Sequence, residues 1–149
     1  MPGVRARRML FSTSSSTHPV CNLLAAPAAK EKLRQGSAIH TLIQMLADPE
    51  ADCLRFAAMA ITNLSTSAEN QLTLVQQGTL PPLLAIAGSP GESASYALMA
   101  LCNLATHRHN RVTLVQAGGL GPVASAAESG QREMVRAAAL LLCRWRALG

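Results

Sequence analysis

The chain has 149 residues, of which 49% are hydrophobic but only 3% aromatic, and its formal net charge is +5. This length allows one domain with a sizeable core, and the composition favours aliphatic packing between helices. Arg5, Arg7 and Arg8 lie in the first seventeen residues, which contain no acid; the rest is nearly balanced, which argues against nucleic-acid binding.

Other classes of protein are excluded by features that the sequence lacks. No C-x-x-C spacing is present, so we expect reduced thiols rather than a disulfide framework or a zinc site. No apolar run approaches the ~18 residues needed to cross a bilayer. We find no nucleophile paired with a base, no carboxylate pair and no phosphate-binding glycine loop. We therefore expect neither an enzyme nor a bound cofactor or metal. The thiols that we expect to be reduced are those of Cys21, Cys53, Cys102 and Cys143.

The first segment, residues 1–17, is a basic tail rich in serine and arginine. Such a composition is common in disordered tails, and this is the preferred interpretation. The arginines, the serines and the apolar patch Met9-Leu10-Phe11 also resemble an organelle transit peptide. The expected location is therefore the cytoplasm or the nucleus, with organelle import through this segment as the alternative.

From residue 18 onwards the chain repeats with a period near forty residues. The segment TLVQQG at 73–78 returns as TLVQAG at 113–118, and Asn63 followed by leucine returns as Asn103 followed by leucine. Helix-type apolar spacing at this fixed period is typical of a solenoid, whose units bury their apolar faces against one another. The predicted domain, 18–149, consists of a partial repeat at 18–26 and repeats at 27–66, 67–106 and 107–149.

Each complete unit is predicted to contain a short first helix, a second helix and a longer third helix. In the middle unit, Gly78 marks the end of the first helix, Thr79 is expected to cap the second, and the second has prolines in its first turn. In chain order, the predicted third helices are a partial one at 19–24 and complete ones at 51–65, 92–106 and 131–143.

The middle unit resembles an armadillo repeat. The family pattern N-x-x-x-L-V-x-x-G-x-[IL]-x-P-L, followed by a small-residue helix that ends in Asn-Leu, matches 70–83 with 97–105, and more loosely 110–122 with 137–141. The resemblance covers roughly residues 19–145 and is closest to vacuolar-type and β-catenin-like scaffolds. It implies an all-α fold, an armadillo-type right-handed superhelix of three repeats plus a partial N-terminal one. It also implies a non-catalytic module that binds an extended or helical protein segment.

In the armadillo family, an asparagine on each third helix can hydrogen-bond the main chain of a partner lying in the concave groove. The resemblance therefore implies a row of partner-binding residues formed by Asn22, Asn63 and Asn103. The alternative is that each asparagine braces the loop after its own helix, because asparagine readily bonds nearby backbone. The sequence leaves both roles open.

One helical turn before these asparagines lie His18, Met59 and Met99, where nuclear-import armadillo proteins have tryptophan. Methionine offers no aromatic face to a cation, so binding of classical nuclear-localisation peptides is not expected. The two methionines form either an apolar groove floor or part of the core. The sequence does not distinguish between these two places.

A further turn back lie Arg55 and Ser95, which complete the candidate groove. They make it at most mildly basic at one end, which suits an acidic or amphipathic partner segment. The alternative is that Arg55 is a solvated charge near Asp52, a kind of pair that contributes little to stability.

The last unit departs from the pattern, because Cys143 stands where an asparagine is expected and Trp145 follows it. The final helix, with leucines at 140–142 and Trp145, is expected to expose apolar area. We therefore expect end-to-end association or continuation of a longer solenoid. The alternative function is a structural spacer, or a fragment of a larger repeat protein, without its own groove ligand.

Overall fold

Helices account for most of residues 38–146, the part of the chain that a computed structural model describes. Within this range the chain forms eight helices and no strand. The predicted basic tail, the partial repeat with Asn22 and the first helix of the following repeat lie outside the described residues. The helices are α1 (Ala38–Met45), α2 (Ala51–Leu64), α3 (Ala68–Gln76), α4 (Leu80–Ala87), α5 (Glu92–Leu104), α6 (Arg108–Gln116), α7 (Leu120–Glu128) and α8 (Arg132–Arg146).

The helices follow one another as repeating triplets. α1 and α2 are the second and third helices of one unit, α3 to α5 form the next unit, and α6 to α8 form the last. The third helices pack in a row, α2 against α5 and α5 against α8, while α4 and α7 pack against each other. Packing of like helices on like helices is the arrangement of an α-solenoid. The predicted all-α solenoid is therefore confirmed.

The core between the third helices combines leucine and isoleucine with alanine. Ile61, Leu98 and Leu101 are fully buried, and so are Ala60 and Ala100. Small side chains allow helix axes to approach to about 8–10 Å, and the larger aliphatic side chains then fill the remaining space. The third helices therefore contain the small buried residues that the sequence predicts.

A glycine in the left-handed region ends both of the first helices that the structure describes, α3 and α6. Gly78 has a φ of +90° and Gly118 has a φ of +85°, a conformation in which a Cβ atom causes strain. The prediction that Thr79 caps α4 is wrong, because Thr79 makes no side-chain cap bond. Its hydroxyl instead donates to the carbonyl of Leu74 at 2.5 Å and so closes the end of α3.

The last repeat exposes side chains whose equivalents are buried one repeat earlier. Leu80 in α4 is 3% exposed, whereas the equivalent Leu120 in α7 is 53% exposed. Leu101 in α5 is fully buried, whereas Leu142 in α8 is 42% exposed. The helices of the earlier pair, α4 and α5, pack against α7 and α8 of the following unit, and no described unit follows α7 and α8. We call Leu120 and Leu142 the end face.

The predicted exposure of the final helix is correct for some of its residues and wrong for others. Leu140 and Leu142 are exposed, but Leu141 and Trp145 are buried. Trp145 packs beside Gly119, where an added Cβ would lie 3.4 Å from the indole ring. The tryptophan therefore belongs to the core of the last unit.

Among residues 38–146, none of the helices combines the length and the apolar character needed to span a membrane.

Candidate functional site

The row of third helices brings predicted site residues from different repeats onto neighbouring helices. Asn63 lies in α2 and Asn103 lies at the equivalent place in α5, and both side chains are half-buried. We call this place in each third helix the asparagine position. Asn22, the first predicted member of the row, lies outside the described residues.

The side chain of Asn103 joins two repeats. Its Nδ2 atom lies 3.3 Å from the carbonyl oxygen of Thr62 and 3.1 Å from the hydroxyl oxygen of Ser65, both at the end of α2. An amide nitrogen has two hydrogens, and these two acceptors account for them. Asn103 therefore braces the structure, as the alternative interpretation expects, but the braced backbone belongs to the preceding repeat rather than to its own loop.

A polar seam beside Asn103 continues this connection between repeats. The side-chain nitrogen of Gln71 donates to the carbonyl of Ser65 at 3.0 Å. The hydroxyl oxygen of Thr106 lies 2.6 Å from the carbonyl oxygen of Asn103 and 2.9 Å from the side-chain oxygen of Gln71, and its single hydrogen is shared between these two acceptors. Asn110, which is fully buried, donates to the carbonyls of Gln71 and Leu104 at 3.0 and 3.1 Å. The loop-bracing role thus falls to Asn110, an asparagine that was not predicted to have it.

Arg144 occupies the asparagine position in α8. Its guanidinium donates to the carbonyl of Cys102, the residue before Asn103, just as Asn103 donates to the residue before Asn63. The prediction that Cys143 takes this position is wrong, because Cys143 is exposed. The interval here is 41 residues instead of 40. The same 41-residue interval separates Asn22 from Asn63, and it is the signal in the sequence that could have identified Arg144.

One turn before the asparagine position lies an apolar residue in each third helix. Met59 is half-buried against the core, whereas Met99 is 48% exposed and Leu140 is 49% exposed. Each of the two interpretations therefore holds for one methionine: Met59 contributes to the core, and Met99 lies on the surface. Leu140 was not predicted as a site residue, because Cys143 was taken for the asparagine position. We call Met59, Met99 and Leu140 the apolar row.

Arg55 and Ser95 lie one turn before Met59 and Met99 in α2 and α5. A nitrogen of Arg55 lies 3.3 Å from a carboxylate oxygen of Asp52, and the pair is largely solvated, so the pair contributes little to stability. Arg55 lines a cleft of about 700 Å³ between the turns of two successive units, together with Ile86 and Glu92. Ser95 is half-buried and does not line that cleft.

The thiol of Cys102 is buried beside this row. Burial raises its pKa to about 11, and the nearby Arg144 guanidinium offsets part of that rise. A thiol in this state behaves as a small apolar group and not as a nucleophile.

Asp48, Glu50 and Cys53 place metal-ligand-type atoms within 4.8 Å of one another at the start of α2. The backbone N–H of Glu50 donates to a carboxylate oxygen of Asp48 at 2.9 Å. A local turn before the helix therefore explains their closeness.

Comparison with known proteins identifies the architecture. A structure of computationally designed armadillo repeat proteins for modular peptide recognition matches with a TM-score of 0.79 at 22% identity, covering 87% of this chain and 56% of that chain. A designed armadillo repeat protein in complex with the peptide (KR)4 matches with a TM-score of 0.78 at 22% identity and the same coverage. The chain has the armadillo repeat fold.

An engineered protein also matches, with a TM-score of 0.83 at 21% identity, covering 96% of this chain and 62% of that chain. The chain thus spans between 56% and 62% of the length of these three chains. No protein-family model and no curated protein matches the sequence. In this armadillo fold, the third helices α2, α5 and α8 present the apolar row, and the bonds of Asn103 and Arg144 hold those helices together.

Proposed function

We propose that this chain is a non-catalytic protein-interaction module whose apolar row binds a segment of a partner protein. The observation that carries the proposal is the exposure of Met99 and Leu140, 48% and 49%, on two adjacent third helices. Covering a half-exposed side chain of this size contributes about 1–2 kcal/mol. A row of such side chains therefore gives a partner segment several contacts along its length.

The armadillo comparison supports a protein segment as the class of ligand, since one of the matching designed proteins is in complex with a peptide. The apolar row indicates a different preference for this chain. Met59, Met99 and Leu140 have no aromatic ring on which the cations of a lysine- and arginine-rich peptide would stack. We therefore propose partner segments with apolar side chains.

The test is a selection of binding segments from a displayed library of peptides, followed by affinity measurements with two variants. Met99→Glu places a carboxylate in the apolar row and is expected to weaken the selected segments about tenfold or more, since a charge is costly to bury. Val112→Glu is the matched control, because Val112 is 45% exposed but lies in α6, a first helix. Thermal unfolding of both variants is expected to stay close to that of the original chain.

If the selected segments bind Met99→Glu and the original chain equally well, the apolar row is not the binding surface. If they lose affinity for Val112→Glu instead, the surface lies on the first helices.

We propose a structural spacer, associating end to end or within a longer armadillo stack, as the second candidate function. The end face supports it, because Leu120 and Leu142 are exposed where Leu80 and Leu101 are buried. Sedimentation velocity of the chain and of the double variant Leu120→Glu with Leu142→Glu tests it. Self-association that the double variant abolishes would support this candidate, and a single monomeric species at every concentration would exclude self-association.

We propose the cytoplasm or nucleus as the location, with import into an organelle through residues 1–17 as the alternative. A fluorescent fusion with and without those residues distinguishes the two.

A further inference from the structure

We infer that the segment bound by the apolar row is an amphipathic α-helix with acidic residues beside its apolar stripe, rather than an extended peptide. The inference rests on the proposed function, because it concerns the same surface. It follows from the hydrogen bonds, the spacing and the charges of the third helices.

The amide nitrogen that Asn103 would offer to an extended peptide is already engaged. The amide nitrogen of Asn103 has acceptors in Thr62 and Ser65, and the guanidinium of Arg144 donates to Cys102. An extended peptide laid on this surface loses water from its own N–H and C=O groups, and each group left unpaired costs about 1–3 kcal/mol. Pairing a peptide carbonyl with the Asn103 nitrogen would break its bonds to the preceding repeat. A helix satisfies its own backbone and needs no such donors.

The spacing of the apolar row suits a helical stripe. The three side chains stand on neighbouring packed helices, whose axes lie about 8–10 Å apart. A helix with apolar residues at i, i+4, i+7 and i+11 presents one about every 5–6 Å along one face. Met99 and Leu140, together with the exposed part of Met59, can therefore contact the stripe of one helix about 15–18 residues long.

The positive charge beside the apolar row favours partner helices with acidic residues on either side of their apolar stripe. Arg132 and Arg136 of α8 are exposed and lie about two turns and one turn before Leu140, on the same side of the helix. Acidic residues next to the apolar stripe would face these arginines, and the attraction would weaken with salt. The same charges argue against the basic segment 1–17 as the occupant, since that segment contains no acid.

The experiment compares three fluorescent peptides with blocked ends, made of leucine, alanine and glutamate. Two of them have identical composition, and the third differs from the first only by a pair of prolines. The first has leucines at i, i+4, i+7 and i+11. The second alternates leucine with glutamate and so forms an apolar face only when extended. The third is the first peptide with two central residues replaced by proline, which breaks the helix. The (KR)4 peptide serves as the cationic extended probe.

We expect the first peptide to bind at least about tenfold more tightly than the other three and to gain helical ellipticity on binding. Met99→Glu and Leu140→Glu are each expected to weaken it about tenfold or more, because each puts a carboxylate against the apolar stripe and the acidic flanks. Val112→Glu adds the same charge on α6 and is expected to change the affinity less than threefold.

Tighter binding of the alternating peptide or of (KR)4, lost in Met99→Glu, would overturn this inference and leave the proposed function standing. Segments selected from the library that depend on Met99 but gain no helicity would do the same. If no peptide, designed or selected, binds in a way that depends on Met99, the proposed function fails along with the inference.

Discussion

The side-chain nitrogen of Asn103 lies 3.3 Å from the carbonyl oxygen of Thr62, forty-one residues earlier in the chain. This bond and the bond from the same nitrogen to Ser65 tie α5 to the end of α2. Units of a solenoid contact only their neighbours, so a bond between units acts directly on the interface that makes the array cooperative. The asparagine position is therefore a structural position in this chain.

Asn103→Ala is expected to lower the free energy of unfolding by roughly 1–3 kcal/mol, because it removes two hydrogen bonds between repeats, each contributing about 0.5–1.5 kcal/mol. Urea denaturation followed by circular dichroism measures the change. Met99→Ala is the control, because Met99 is exposed one turn away and is expected to cost about 0.5 kcal/mol or less. Equal stability of the two variants would show that the Asn103 bonds add nothing to the interface.

Arg144→Ala is expected to destabilise the last repeat by about 1–3 kcal/mol, because its guanidinium donates to the carbonyl of Cys102 and charged hydrogen bonds are the stronger ones. Hydrogen exchange of the backbone amides of α8 should accelerate more than that of α2, since stability in repeat arrays is local. Arg146→Ala is the matched control, because Arg146 is exposed on the same helix. Equal acceleration in the two variants would contradict a structural role for Arg144.

Replacement of three different glycines by alanine is expected to change the free energy of unfolding by three different amounts. Gly78→Ala is expected to cost about 1 kcal/mol from backbone strain alone, because its φ is +90° and no atom stands within 4 Å of the added Cβ. Gly119→Ala is expected to cost more, because the Cβ would lie 2.6 Å from a methyl carbon and 2.8 Å from the carbonyl oxygen of Leu114. Gly121→Ala is expected to change stability by about 0.5 kcal/mol or less, because no neighbouring atom stands within 4 Å of the added Cβ and the gain in helix propensity is offset by contact with the ring of the following proline.

Chemical denaturation of the three glycine variants at one pH tests this order. A stabilising effect of Gly78→Ala, or a greater loss of stability in Gly121→Ala than in Gly78→Ala, would contradict it.

The buried thiol of Cys102 should make folding sensitive to alkaline pH. Burial raises its pKa from 9.0 to about 11, so from about pH 9 to pH 11 the unfolded chain releases this proton while the folded chain retains it. Stability is therefore lost as the pH rises through that interval, by at most roughly 3 kcal/mol, and is unaffected by this group below it.

Urea denaturation at several pH values, for the original chain and for Cys102→Ala, measures this contribution of Cys102. The difference in stability between the two should shrink as the pH rises above about 9. A difference that is constant with pH would refute the contribution. Thiol labelling supplies a second check, because the exposed Cys143 should react before Cys102 does.

The fold was predictable because its signals are local and repeated. Helix ends at Gly78 and Gly118 follow from the need for a left-handed residue, and the third helices follow from the spacing of leucine and alanine. The capping prediction for Thr79 was wrong because the same hydroxyl can close the preceding helix as easily as it can begin the next. The sequence offers no means of choosing between two backbone acceptors so close together.

The candidate site was predictable only in outline. The pattern identified Met99 and Asn103, but a shift of one residue in the last unit concealed Arg144 and, with it, Leu140. The sequence could not distinguish whether Asn103 binds a partner or braces the structure, because an amide uses the same donor and acceptor groups for both.

The sequence by itself determined the period of the repeat, the order and approximate ends of the helices and the apolar face of each one, since these depend on residues within a few turns of one another. The tertiary structure alone decided which bonds cross between repeats and which equivalent side chains remain exposed. Leu80 and Leu120 occupy the same place in their units, yet one is 3% and the other 53% exposed. Exposure and bonding partners depend on what packs against a helix from forty residues away, which no local pattern contains.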